Sequence, residues 1–173
     1  YFYAVATSAT KTCTASSQWS GNYLNWASMQ SLDNFRWVLT GGNRVVDTAT
    51  ETVLQKTHFG SQGTGYAPDK TISNSGTISG ATPLGWNSLT TSIANRGTAM
   101  LFSSCAISGS STVDNYSEST TVQACSKNTA RAYRVYINVK VCDSAPDATN
   151  YHNCKAYGSV YKPEGLIQKY ADK

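Results

Sequence analysis

The stretch Ala132 to Cys142 constrains this chain more than any other. Tyr133, Val135, Ile137, Val139 and Val141 alternate with Arg134, Tyr136, Asn138 and Lys140. Side chains of an extended strand point alternately to opposite faces, so this period of two predicts a β-strand with one face buried. Each large apolar side chain on that face contributes ~1.5–3 kcal/mol when buried, which commits the strand to a core. With 173 residues the chain has the length of one domain and enough surface to bury such a core. Only 14% of residues are charged, and 11 Tyr and 4 Trp are present. That composition belongs to a folded chain, since disordered ones are charge-rich and aromatic-poor. No apolar run approaches the ~18–20 residues that span a bilayer, so no transmembrane segment is expected. No heptad runs through the sequence either, which excludes a coiled coil.

The formal net charge is +4, and the Lys and Arg residues are scattered among Thr and Tyr. A nucleic-acid binder gathers them on one face, so no nucleic-acid partner is expected. The five cysteines are Cys13, Cys105, Cys125, Cys142 and Cys154, with no C-x-x-C and only two histidines. The set does not suit a zinc site and suits disulfides, hence an exported protein. Loop closure favours Cys105 with Cys125 and Cys142 with Cys154, while spacing alone allows other connectivities. Cys13 is then left over, to pair between molecules or with a residue outside these borders. The start at Tyr1 and the helical run Leu166 to Lys173 at the other end read as a fragment.

Gly21 to Leu39 carry a helical pattern, with Leu24, Ala27, Ser31, Phe35 and Val38 on one face and Leu32 and Leu39 widening it. Asp33 and Arg36 are spaced to pair at i,i+3. Gly41-Gly42 ends the helix. Thr48 to Glu51 has the spacing of a capping box and predicts a short helix through Val53-Leu54 to about Lys56. Phe59 to Trp86 shifts to Gly, Ser, Thr, Asn and Pro and reads as loop or short irregular strands. Thr98 to Phe102 is a short buried strand, and Ser108 to Thr121 a protruding loop or hairpin tip. Pro163-Glu164 suits a first helical turn, with Leu166, Ile167 and Tyr170 facing inward.

Little in the chain supports catalysis. There is no G-x-S-x-G, and His58 and His152 lie in polar surroundings that suit surface histidines. The disulfide reading leaves no activated thiol. Asp143, Asp147 and Asn150 lack the spacing of a calcium loop and read as a solvated turn within the Cys142–Cys154 staple. Composition points to a binding or structural module, with no metal and no cofactor.

Three stretches then resemble a known family. The first is Gln18-Trp-Ser-Gly-Asn-Tyr-Leu-Asn-Trp-Ala-Ser-Met29. The second is Asp33-Asn-Phe-Arg-Trp-Val-Leu-Thr-Gly-Gly-Asn-Arg44, followed by Asp47-Thr48 and Thr52-Val-Leu54. The third is Tyr133-Arg-Val-Tyr-Ile-Asn-Val-Lys-Val-Cys142 with Cys154-Lys-Ala-Tyr-Gly-Ser159 and Tyr161-Lys-Pro-Glu-Gly-Leu-Ile-Gln-Lys-Tyr-Ala171. In this order they resemble the N-terminal half of the type IV pilus tip adhesin and biogenesis factors, the PilY/PilC family. The resemblance covers about half the chain, and residues 59–129 match nothing in it. It implies a place within or beside a von Willebrand factor A-like region, although the D-x-S-x-S metal motif is absent here. It also implies that Cys13 pairs with a family cysteine just before the position of Tyr1.

The expectation is an α+β fold, with helices at both ends flanking a small disulfide-stapled, largely antiparallel β region with long polar loops. A single module spans residues 1–173: a helical signature segment (1–58), a variable insertion (59–130), and a strand, disulfide loop and terminal helix (131–173). Tyr-, Ser-, Gly- and Asn-rich loops make adaptable contacts, so Tyr66, Trp86 and Tyr116 are candidate ligand-contact residues. For Trp86 the alternative is a core plug beneath a loop. Trp19, Trp26 and Trp37 are read as packing residues. The expected role is non-enzymatic adhesion or pilus biogenesis outside the cell, at the pilus tip or outer surface after passage through the periplasm. Expected partners are a host-cell surface or extracellular ligand (a glycan or matrix protein), minor pilins, and the remainder of the parent chain. The alternative is a secreted hydrolase fragment, carbohydrate-active or proteolytic.

Overall fold

The computed structural model describes residues 2–5, 12, 13, 15, 17–60, 65–104, 132–146 and 153–171. In chain order the elements are α1 (Gly21–Ser28), α2 (Ser31–Thr40), β1 (Arg44–Asp47), β2 (Thr52–Gln55), β3 (Lys70–Ile72), α3 (Ser75–Ala81), β4 (Leu89–Ser92), β5 (Ala99–Ser103), β6 (Ala132–Tyr136), β7 (Asn138–Val141), β8 (Cys154–Tyr157), β9 (Val160–Pro163) and α4 (Leu166–Tyr170). Among the described residues, four helices and antiparallel sheets make this the expected α+β fold. The residues group into two compact units. Unit 1 takes Tyr1–Ala6, Met29–Thr57 and Tyr136–Lys173, and unit 2 takes Thr7–Ser28 and His58–Val135.

Unit 1 contains the sheet β1-β2-β7 and the hairpin β8-β9. β2 lies between two antiparallel neighbours, with Leu54 opposite Arg44 of β1 and Val139 of β7. Val141, Cys142 and Cys154 form a buried cluster against which Leu54, Val139 and Tyr161 pack. The Cys142–Cys154 disulfide closes a separation of 12 residues. It is one of the two crosslinks expected from spacing; the other, Cys105 with Cys125, lies outside the described residues. α2 ends where Gly41 takes a left-handed conformation (φ 76°) and its N–H donates to the Trp37 carbonyl at 3.0 Å. That glycine is obligatory twice over, because a Cβ there would stand 2.7 Å from the Pro163 carbonyl oxygen.

Unit 2 contains the sheet β3-β4-β5-β6. β5 is buried throughout, as its unbroken run of small and apolar residues predicts, and β4 beside it is buried along its length too. Phe102, Ile78, Leu89, Met100 and Leu101 are the largest fully buried apolar side chains. α1 adds Tyr23, Leu24 and Ala27 to this core. Trp19 packs on Phe102 with ring centroids 4.9 Å apart, and the Tyr23 hydroxyl shares a 2.6 Å hydrogen bond with that of Thr91.

Several local expectations need correction. The single helix over 21–39 is two helices, because Gln30 is extended (φ −116°, ψ 162°). Asp33 stabilises that break: its carboxylate accepts the Gln30 N–H at 2.9 Å and the Thr57 N–H at 2.6 Å. The residues Thr48 to Glu51 do not start a helix; they turn β1 into β2, with the Thr48 hydroxyl accepting the N–H groups of Thr50 and Glu51. α3 arises in a region read as irregular, capped by the Asn74 side chain, which accepts the Thr77 N–H at 2.8 Å. The alternating stretch 132–142 is two strands in different sheets. Between them Ile137 is buried and its carbonyl accepts the Lys56 N–H at 3.0 Å. Pro163 ends β9 rather than opening α4, whose N-cap is Gly165.

Candidate contact surface

Both described helices of unit 1 carry exposed apolar side chains. α2 has no buried residue, and neither has α4. Phe35 is 65% exposed, Val38 52% and Leu32 46%, with Trp37 also open to solvent. On α4, Leu166, Ile167 and Tyr170 are exposed as well, a correction to their expected inward face. The period-three spacing of Leu32, Phe35 and Val38 made them look like core, yet no described part of unit 1 buries them. The two helices pack on each other. Between them lies a cleft of about 290 Å³ lined by Trp37, Val38, Asn153, Glu164, Leu166 and Lys169, among others.

The elements behind this surface are held by polar contacts. The Gly165 N–H donates to the Gln168 carboxamide at 3.1 Å, and Gln168 Nε2 donates to the Thr40 carbonyl at 3.0 Å. Arg44 reaches the Pro163 carbonyl at 2.5 Å and Asp47 at 2.8 Å. Lys162 pairs with the same Asp47. Burial raises the Asp47 carboxyl pKa, but hydrogen bonds from Lys162, Arg44 and Thr52 outweigh it and hold the value below the ordinary one. Glu164 accepts from Lys155 at 3.1 Å, which raises the Lys155 pKa.

Unit 2 holds the loop residues singled out from sequence. Tyr66 sits in a turn and is 79% exposed. Trp86 is half-buried and stacks on Tyr133, with centroids 5.6 Å apart and 9° between planes. Of the two, Tyr66 is open to solvent, and Trp86 has one face of its ring against Tyr133. Tyr116, with the loop 108–121, lies outside the described residues, as do His152, Asp147 and Asn150. Trp26 is half-exposed, and Lys70 stands with Nζ 5.2 Å above its ring while donating to its carbonyl. Of the three signature tryptophans, then, Trp19 packs inward, while Trp26 and Trp37 reach the surface. Cys13 is half-buried and has no disulfide partner among the described residues; its N–H donates to the Gly80 carbonyl. Among the described residues no three of His, Cys, Asp and Glu gather closely enough to hold a metal ion. Among them, too, no helix is long and apolar enough to cross a membrane.

Fold and surface together define a small disulfide-bonded α/β module. The family described as "PilY1 homolog, small alpha/beta domain" matches residues 1–135, and the chain belongs to it. A type IV pilus biogenesis factor PilY1 homolog of Xylella fastidiosa (strain Temecula1 / ATCC 700964) is 36% identical over 182 residues, covering 100% of this chain. A second protein of the same name and organism is 44% identical over 48 residues, 28% of the chain. The chain spans 14% of the first of these proteins, and the second match covers 3% of its protein. No solved structure matches.

Proposed function

We propose that the chain is a non-enzymatic module of a type IV pilus biogenesis factor, acting at the bacterial surface by contact rather than by chemistry. The observation that carries this reading is the alignment of the whole chain with a protein named for pilus biogenesis. The geometry supports it by what the surface offers, namely exposed aromatic and aliphatic side chains such as Tyr66, Trp26 and Phe35. Rigid aromatics give large contact area at low entropic cost. In this reading the module serves pilus assembly through minor pilins, and the turn at Tyr66 adds contact with a host or extracellular ligand. The Cys13 thiol pairs with a cysteine outside these 173 residues.

The test is genetic and uses the full-length gene. In-frame deletion of this segment is expected to abolish surface piliation, and the equivalent Xylella segment to restore it. Wild-type piliation, twitching and attachment after deletion would sink the reading. Tyr66→Ala is expected to leave piliation intact and to weaken attachment; unchanged attachment removes the adhesive part alone.

A further inference from the structure

We draw no further inference here: the strongest candidate, the cleft between α2 and α4 whose wall includes Asn153 with an unpartnered side-chain amide nitrogen, carries nothing, because residues 147–152 leading into Asn153 lie outside the described ones and nothing in the structure shows what fills it.

Discussion

Lys56 is buried, and its ammonium donates to the Thr57 carbonyl at 2.6 Å in the neighbourhood of Asp33. Burial pushes its pKa down to about 8, against a smaller opposing pull from the Asp33 carboxylate. An unfolded lysine titrates near ~10.4, so between about pH 8 and that value the unfolded chain holds more protons. Stability therefore rises with pH across this window and is lost again as pH falls through about 8, a difference on the order of 2–3 kcal/mol. Lys56→Met is expected to flatten that rise, as measured by urea unfolding at pH 7.5 and pH 10; parallel pH dependences would refute it. Tyr23 has the opposite sign. Burial raises its phenol to about 12, only partly offset by the Thr91 hydrogen bond, so the unfolded state loses its proton first. Stability present below pH 10 is lost as pH rises toward 12, and Tyr23→Phe is expected to remove that loss while forgoing the hydrogen bond. Gly165 gives a third case. A Cβ there would fall on the Leu39 carbonyl, which is backbone and has nowhere to go. Gly165→Ala is expected to destabilise unit 1 by about 2 kcal/mol or more, read as a lowered urea midpoint.

At the scale of elements, sequence patterns were most legible where one physical cause acted alone. Gly41 stops α2 because left-handed backbone suits glycine, and 99–103 is a buried strand because nothing in it is charged. Thr48 to Glu51 misled for a definite reason. A threonine hydroxyl accepting amides two and three residues on serves a helix N-terminus and a hairpin loop equally, so spacing does not separate them. The alternation over 132–142 identified extended backbone but not its division, since the break at Ile137 depends on which sheet each half joins. α3 was hidden because Ser-Gly-Thr-Ile-Ser-Gly-Ala offers one large apolar residue and two glycines. It depends correspondingly on its cap, and Asn74→Ala is expected to cost about 1 kcal/mol by urea unfolding. On the candidate surface the stripe Leu32, Phe35, Val38 was visible as apolar; what was not visible is that no described residue of unit 1 buries it. Periodicity reports that a face wants cover and is silent on where the cover comes from.

For the whole molecule, the Cys142–Cys154 bond ties the end of β7 to the start of β8 across a short polar loop. Closing a loop of that size stabilises by about 3 kcal/mol in chain-entropy terms. Reductant is expected to lower the unfolding midpoint of the native protein, and Cys142→Ser with Cys154→Ser to reproduce the shift without it. Non-reducing peptide mapping of the full-length protein is expected to find Cys13 joined to a cysteine outside this segment; a free Cys13 thiol there removes that part of the proposal.

The order of strands in unit 1 has a bearing on how the molecule is made. β2 lies between β1, its immediate predecessor, and β7, so that Gln55 pairs with Asn138. During synthesis the first hairpin emerges well before the strand that completes its sheet, and a lone hairpin is marginal in water. Throughout that interval β2 offers a bare hydrogen-bonding edge to any neighbouring chain. Ribosome stalling or truncation upstream of Asn138 would strand the protein in that sticky state, which makes a holding chaperone most valuable before translation has passed this point.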